Sequence, residues 1–378
     1  MARINRRTTS RSSRTPTKSP RFLAVLSFSL VALACYRQLP QANNIIPTLF
    51  SPTSEKDSSA IQVTVQRQVT EGQAKLQQLL STKKGQQSTT TSSSKTYYDE
   101  SQIVKFTDTL VTAPQTVVTA YFQVKSKHSS NNYAKWMKNM LSLEDPMVIF
   151  LSPALIPEIK ELRQHALDRT VIIPMEVDQV PLAKNYNASF WQWQLDIDRE
   201  KRIHRSYFVF WIWLSKSWWV TEAIRHNFFN SQVFVWSDMG CFRDRNYNHK
   251  TMVARIETIP RNRMLFLAHH PLNVPPARIW NNKYTQKHHF YHSGSIFAGY
   301  ADTFIQFEQY FMDTLQEFLD RDMFIGEDQL VMQSTCLMHP DICAYIDHVH
   351  VNDNHYFGLR YVLHRGGNYT YWYPPSLA

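Results

Sequence analysis

The chain has 378 residues and a formal net charge of +10, and only 9 of its residues are glycine. The length suits one large domain or two ordinary ones, and the scarcity of glycine excludes a collagen-like or glycine-rich disordered protein. The charge suggests a nucleic-acid binder, but seven basic residues lie before residue 22 with no acidic residue among them, which leaves +3 for the rest of the chain. A basic surface on the folded part is therefore not required.

An uncharged apolar run at residues 22–36 follows this basic tail of residues 1–21. A positive flank before an apolar run is typical of a signal anchor, and the positive side stays in the cytoplasm. We therefore expect a single-pass type II protein of the Golgi or endoplasmic reticulum membrane, with its C-terminal part in the lumen. The run is shorter than the roughly 20 residues of a full span. Cleavage after Ala34 and an organellar transit peptide therefore stay open as alternatives.

Residues 37–112 are rich in serine, threonine and glutamine and are expected to form a flexible stem. The folded lumenal domain is then expected to occupy residues 113–378. Two glycosylation sequons, which begin at Asn187 and Asn368, agree with a lumenal address. Cys336 and Cys343 are close enough in sequence to pair in an oxidising compartment, although their spacing does not decide it.

Apolar segments alternate between strand-like and helix-like spacing from residue 116 onwards. Strands are predicted at residues 116–122, 146–152, 170–176, 233–240 and 263–268, and helices at 130–141, 156–167, 206–227, 302–322 and from 327 onwards. Lys216 interrupts the helix at 206–227 after eight apolar residues, so this helix is predicted to be buried rather than membrane-spanning. The alternation predicts an α/β fold with a mixed, mostly parallel sheet flanked by helices.

Asp238 lies at the end of the strand predicted at 233–240. In open α/β sheets, ligands bind at the carboxyl ends of the strands. A carboxylate there can hold Mg²⁺ or Mn²⁺ against a diphosphate, because these cations prefer hard oxygen ligands. Gly240 would let a ligand approach the backbone closely. The alternative is that Asp238 caps the turn or helix that follows.

Two further segments carry candidate residues. Gly294 and Gly299 lie just before the helix at 302–322, where small residues would let a sugar or phosphate lie against the backbone, with ordinary turn chemistry as the alternative. Glu327 and Asp328 begin the next helix, where one of them could act as a general base on an acceptor hydroxyl. The alternative is that these acids are simply favoured by the helix macrodipole.

The C-terminal part is rich in histidine. His348 and His350 alternate, which would place them on one face of a strand and could suit a metal. His364 precedes Arg365 and two glycines, a loop where a cation ligand and a phosphate contact could coexist. The sequence contains no nucleophile elbow, P-loop, HExxH motif or dinucleotide fingerprint.

Seven segments, in this order, together resemble the HtrL/YibB-like family: TVVTAYF, YAKWMKNMLSL, DPMVIFLSP, YFVFWIWLSKSWWVTEAI, VFVWSDMGCFR, GSIFAGYADTFIQFEQYF and IGEDQLVM. The resemblance covers residues 116–350. That family is regarded as similar to glycosyltransferases of the GT-A type. The resemblance therefore implies a GT-A-like, Rossmann-like fold, a nucleotide-diphosphate-sugar donor, and a glycan or glycoprotein hydroxyl as acceptor.

The resemblance also implies a cation site, because GT-A enzymes grip a divalent cation with a DxD motif at the end of a core strand. The matching segment keeps Asp238 and lacks the second acid, and Asp244 lies close enough in sequence to assist. His364 resembles the late histidine ligand of some GT-A enzymes.

Three further roles follow from the same resemblance. Lys216 would contact the donor phosphates, with a lysine that snorkels beside buried aromatic residues as its alternative. Gly294 and Gly299 would lie near the donor sugar or the acceptor. Glu327 and Asp328 would supply the catalytic base of an inverting enzyme.

The sequence thus predicts a membrane-anchored glycosyltransferase that depends on Mn²⁺ or Mg²⁺. Its partners would be a nucleotide sugar and a glycan acceptor, and not nucleic acid. The alternative is a non-catalytic lumenal protein of the same fold that binds glycans or a partner, which the missing second acid favours.

Overall fold

Short runs of β-branched and aromatic residues form the strands of one central sheet. A computed structural model of the chain describes residues 97–243, 247–269, 292–347, 356–367 and 369–374. Within these ranges the strands are β1 (Val104–Lys105), β2 (Gln115–Tyr121), β3 (Met147–Leu151), β4 (Thr170–Pro174), β5 (Val233–Ser237), β6 (Met264–Ala268), β7 (Ile296–Tyr300) and β8 (Cys343–Asp347). Every residue of β3, β4, β5 and β6 is buried, as expected of strands that are covered on both faces.

Helices flank this sheet. They are α1 (Ser130–Leu141), α2 (Ile156–Leu162), α3 (Pro181–Asn185), α4 (Ala188–Ile197), α5 (Lys201–His204), α6 (Phe208–Leu214), α7 (Lys216–His226), α8 (Ala301–Leu319), α9 (Asp328–Met338) and α10 (Leu359–Arg365). Side chains at neighbouring positions of a strand point to opposite faces of the sheet. In β2, Val118 packs in the same core as helices α6 to α9, whereas Val117 packs on the other face with α1, α2 and α10. The fold is therefore a layer of helices on each face of one sheet.

The strand order is β1-β4-β3-β2-β5-β7-β6-β8. The four strands β2, β3, β4 and β5 are parallel, β7 is antiparallel to β5 and β6, and β8 is parallel to β6. With β1 antiparallel to β4, four of the seven neighbouring strand pairs are parallel and three are antiparallel, so the prediction of a mixed sheet flanked by helices is confirmed. Since Ser237 pairs with Ile296, the start of β7 lies at the carboxyl end of β5.

Two of the predicted helices are divided. The segment 206–227 forms α6 and α7, which are separated at Ser215, rather than one helix. The helix predicted at 156–167 ends at Leu162, and a 3₁₀ segment, Gln164–Arg169, follows with a non-helical residue at Ala166. The guanidinium of the buried Arg163 turns inward at this point and donates to the Asp145 carbonyl oxygen at 3.0 Å, which ties the end of α2 to the start of β3.

The folded part includes residues that the composition placed in the stem. Tyr98 is buried, and its hydroxyl donates to Glu222 Oε2 at 2.8 Å. Strand β1 pairs with β4 through Val104 and Ile172. The polar character of residues 97–112 therefore does not exclude them from the folded part.

The membrane segment predicted at 22–36 lies outside the described residues. Of the helices that the structure does describe, none combines the length and the apolar character needed to cross a membrane. Cys336 and Cys343 form a disulfide between the end of α9 and the start of β8, the pairing that the sequence had left undecided.

Candidate functional site

A cavity lies where the order of the strands reverses. The chain runs from β2 outward to β3 and β4 and then returns to β5 on the other side of β2. Such a reversal leaves a crevice at the carboxyl ends of the two central strands. A cavity of about 410 Å³ occupies this position. Its lining includes residues that follow β2, residues of α1 and α6, and residues that follow β5: Gln123, Lys125, Ser126, His128, Tyr133, Ile212, Trp213, Asp238, Gly240, Arg243, Ser295 and Phe357.

Asp238 is the acidic residue in this lining. Its Oδ1 accepts a hydrogen bond from Trp236 Nε1 at 2.9 Å and lies 2.9 Å from Lys216 Nζ. Its backbone N–H donates to the Ser295 carbonyl oxygen at 2.9 Å. The side chain is 32% exposed, so one carboxylate oxygen is fixed from behind while the other is left for a ligand.

Lys216 holds this carboxylate from inside the protein. Its ammonium is buried and contacts three oxygens: Asp238 Oδ1 at 2.9 Å, Asp328 Oδ2 at 2.7 Å and the Gly294 carbonyl at 2.9 Å. An ammonium has three donors, and these contacts use all of them. The structure therefore gives Lys216 protein partners in place of the expected donor phosphates, and makes it a positioning residue for Asp238.

The charge of Lys216 survives its burial. Burial lowers the pKa of this ammonium, but the charges of Asp238 and Asp328 and their hydrogen bonds raise it further, so the net shift is upward. The pKa of Asp328 is also raised, mainly because burial disfavours its charged form and partly because Asp238 is near, while Lys216 opposes the shift. Lys216 thus pairs with both Asp238 and Asp328. Its charge does not fully offset the effect of burial on the pKa of Asp328, the more deeply buried of the two.

Glu327 and Asp328 are adjacent but belong to different clusters. Glu327 is the extended residue before α9, and Asp328 is the first residue of the helix, so their side chains leave the backbone in different directions. Asp328 turns towards Lys216, and Glu327 lies with Asp198 and His204. Neither residue is in the lining of the cavity, where the sequence had placed a catalytic base.

The second cluster is buried. His204 Nδ1 lies 2.6 Å from Asp198 Oδ2, and His204 Nε2 lies 3.3 Å from Glu200 Oε2. One potential ligand atom from each of Asp198, His204 and Glu327 lies within 4.8 Å of the others, and among the described residues this is the one group whose geometry could hold a metal ion. This group includes neither Asp238 nor His364, the two ligands expected from the sequence.

His364 lies on α10 and outside the cavity lining. Its ring stacks on that of His249 with 3.9 Å between the centroids, and its Nδ1 lies 3.3 Å from Thr251 Oγ1. Burial, and then the neighbouring His249, lower the pKa of His364. Asp244, His348 and His350, which were further candidate ligands from the sequence, and the sequon residue Asn368 lie outside the described residues.

The predicted glycines and the other sequon have separate positions. Gly240 lines the cavity, and a Cβ there would lie 3.4 Å from the ring of Trp136. Gly299 lies within β7 opposite Phe234 and outside the cavity lining. Asn187 is exposed and caps α4 by accepting a hydrogen bond from the Phe190 N–H at 2.9 Å.

Gly294 and Gly299 offer a matched pair of substitutions. A Cβ on Gly294 would lie 2.9 Å from Asp328 Oδ2 and 2.8 Å from Gln329 Cγ, whereas a Cβ on Gly299 would lie 2.6 Å from Met264 Sδ. Both alanine variants are expected to lose about 1–3 kcal/mol of stability, because each overpacks a dense region. Only Gly294→Ala also displaces Asp328 from Lys216. The affinity of Gly294→Ala for a ligand of the cavity should therefore be lower than that of Gly299→Ala at temperatures where both variants remain folded. Equal affinities of the two variants would show that the contacts of Lys216 with Asp328 and the Gly294 carbonyl do not position Asp238.

Several residues of the cavity were missed from the sequence. Lys125 and His128 follow β2, Tyr133 lies on α1, Trp213 lies on α6, and Arg243 follows β5. The rule that ligands bind at the carboxyl ends of strands applies to β2 as well as to β5. The segment after residue 122 could therefore have been named as the second wall of the site.

Comparisons with known proteins give one family. The model described as "Bacterial protein of unknown function (HtrL_YibB)" matches residues 109–357, which confirms the resemblance seen in the sequence. No curated protein matches the chain significantly. Among solved structures, the apo form of mouse xyloside xylosyltransferase 1 is similar at 11% identity and a TM-score of 0.35, over 62% of this chain and 85% of that one. At this TM-score the likeness is too low to establish a shared fold.

Proposed function

The chain belongs to the HtrL_YibB family, and we propose that it is a glycosyltransferase of the GT-A type. It would move a sugar from a nucleotide-diphosphate donor to a hydroxyl of a glycan or glycoprotein. The observation that carries this proposal is the cavity at the point where the strand order reverses. Asp238 lies in its lining and is held there by the buried Lys216. We further propose that the chain acts in the lumen of the Golgi or endoplasmic reticulum, anchored by residues 22–36.

The chemistry of the lining suits a nucleotide sugar. Trp213 and Tyr133 offer aromatic faces on which a base or a sugar ring can stack. Lys125 and Arg243 supply positive charge for the diphosphate. Asp238 presents its remaining carboxylate oxygen in the same cavity.

A divalent cation fits this site only as an ion that is shared with the donor. Asp238 offers one available oxygen, because Oδ1 is already held by Trp236 and Lys216. Mg²⁺ is commonly held by one or two carboxylates together with substrate phosphates, and Asp238 would be its protein ligand here. When bound, the cation would neutralise charge on the departing diphosphate.

The transfer breaks the bond between the sugar C1 and the diphosphate oxygen, and the electron pair leaves with the diphosphate. The acceptor oxygen forms the new bond to C1, and its proton passes to a base. We assign that base to His128, because it lines the cavity and neither Glu327 nor Asp328 does. Burial, and then Arg243 and Lys127, lower the pKa of His128 below 6.5, so its imidazole is neutral and can accept a proton at pH 7.

A donor screen tests the proposal. Purified full-length protein is incubated with a panel of nucleotide sugars, with Mn²⁺, with Mg²⁺ and with EDTA, and binding and slow donor hydrolysis are measured. One donor should bind and be hydrolysed, and the cation should increase the affinity of the protein for that donor. In the absence of the donor, the cation itself should bind only weakly. The rate should stay constant down to below pH 6.5 and then fall as His128 becomes protonated. If the protein binds no nucleotide sugar under any of these conditions, the proposal that it is a glycosyltransferase is wrong.

A non-catalytic glycan-binding protein of the same fold is the second candidate. It is favoured by the position of Asp328, whose carboxylate is turned away from the cavity and held by Lys216. Such a protein would bind glycans in the screen but show neither donor affinity nor hydrolysis.

A further inference from the structure

A groove lies next to the cavity, between α1 and the segment that follows β5. We call it the α1 groove. It has a volume of about 620 Å³, and its walls include Lys135, Trp136 and Lys138 from α1 and Phe242, Arg243 and Tyr247 from the segment after β5. Its described lining contains three cationic side chains and no carboxylate.

Among the residues that the structure describes, no acidic side chain neutralises the positive charge of the α1 groove. No acidic residue occurs between residues 109 and 143. Lys135, Lys138 and Arg243 form no ion pair with any residue in the described part of the chain, whereas Lys250, further along, pairs with Glu144. Unpaired cations along one groove create a positive potential that attracts an anionic ligand.

The groove also has aromatic walls that a sugar ring can use. The guanidinium of Arg243 lies 4.4 Å from the centre of the Trp136 ring and 4.9 Å from that of Phe357. Such packing fixes a long cationic side chain in one place at little further entropic cost. Trp136 and Tyr247 are half-buried, so each keeps part of an aromatic surface available for stacking.

The groove and the cavity are adjacent. Arg243 lines both of them. Trp136, in the wall of the groove, lies against Gly240 in the wall of the cavity, where an added Cβ would be 3.4 Å from the ring. A chain of sugars in the groove would therefore end beside the donor.

We propose that the α1 groove binds the acceptor, and that the acceptor is a glycan whose sugars carry carboxylate or sulfate groups. The acceptor role rests on the proposed transferase function, whereas the anionic-glycan site rests only on the charge and aromatic surface of the groove. The position of the groove beside a cavity suited to a nucleotide sugar favours a glycan over a nucleic acid.

Two pairs of variants test the site in the full-length protein. Lys135→Gln with Lys138→Gln removes two charges from the groove. Lys184→Gln with Lys201→Gln removes two charges from exposed lysines on α3 and α5 that line neither the groove nor the cavity. All four lysines are exposed, so both proteins should unfold at the temperature of the unmodified chain.

Binding is measured by calorimetry without any nucleotide sugar. The probes are octasaccharides of chondroitin sulfate and hyaluronan, neutral maltooctaose and a twelve-nucleotide single-stranded DNA. We expect the anionic octasaccharides to bind, with about tenfold weaker affinity and a shallower salt dependence in the groove variant and no change in the control. Comparison of chondroitin sulfate with hyaluronan separates sulfate recognition from carboxylate recognition.

Three results would overturn the site: equal affinities for the two variants, tighter binding of maltooctaose than of the charged octasaccharides, or DNA binding that exceeds glycan binding and depends on the same lysines. Lysine-dependent glycan binding by a protein with no donor affinity would support the site and overturn its acceptor role. Failure of the groove and failure of the transferase are thus distinguishable.

Discussion

Asp238→Asn is expected to lower sugar transfer by about 10²–10⁴-fold, the usual cost of losing one charged group that acts on the reacting centre. The substitution keeps the shape of the side chain and removes the charge that would face the donor diphosphate. Stability should fall by only about 1 kcal/mol, because Asp238 is partly exposed and Lys216 keeps Asp328 and the Gly294 carbonyl as partners. Transfer and donor hydrolysis are measured beside thermal unfolding.

Asp302→Asn is the matched control. Asp302 is an exposed carboxylate in the first turn of α8, where its Oδ1 accepts a hydrogen bond from the Thr303 N–H at 2.9 Å and its Oδ2 lies 3.7 Å from Arg261. Its loss removes the same charge from the protein at a place outside the cavity. Transfer at the unmodified rate by Asp238→Asn would end the assignment of Asp238, whereas an equal loss in both variants would point to net charge instead.

Lys216→Met is expected to cost about 3–5 kcal/mol of stability, the range found when one partner of a buried ion pair is removed. Asp328 would then be a buried carboxylate with no cation beside it. Asp328→Asn added to Lys216→Met removes that unpaired charge, so the double variant should be more stable than the two single effects predict. Equilibrium unfolding in urea measures the stability of Lys216→Met, Asp328→Asn and the double variant beside that of the unmodified chain.

The pH dependence of Lys216→Met gives a second readout. The pKa of Asp328 is already raised by burial in the unmodified protein, and the loss of Lys216 raises it further. A carboxyl group with a raised pKa binds more protons in the folded than in the unfolded state, so stability falls as pH rises from the unfolded pKa to the folded one. As the pH rises above the ordinary pKa of an aspartate, the variant should therefore lose more stability than the unmodified chain. A pH dependence identical to that of the unmodified chain would show that Asp328 finds another partner.

The layered fold was predictable because its signals are local. Helix α1 begins and ends where its apolar spacing predicts, and Ser129 caps it by accepting from the Asn132 N–H at 3.4 Å. The buried strands read as continuous apolar runs. Strand β7 was missed because its five residues merge with the helix pattern that follows. Its antiparallel direction could not be predicted either, because the direction of a strand leaves no mark on its composition. The break at Ser215 was hidden because an apolar run precedes it at Phe208–Leu214 and apolar residues resume at Trp218 after only three polar positions.

The site was only partly predictable. The position of Asp238 follows from the end of a strand. Its contact with Lys216 depends on how α7 packs on the sheet, and the contact with Asp328 depends on where α9 begins. The different directions of Glu327 and Asp328 follow from a change of backbone conformation at one residue, from φ −123° and ψ 118° at Glu327 into the helix. Sequence spacing alone carries none of this information.

The convergence on Lys216 also constrains the order of folding. Lys216 and the Gly294 carbonyl that it contacts are 78 positions apart, and Asp328 lies further along the chain. Closing such long loops costs entropy before the contacts form, and proteins rich in distant contacts fold slowly. A growing chain that has completed β5 but not α9 therefore carries Asp238 without its full set of partners, and nucleotide-sugar binding should be acquired late, together with the last helices.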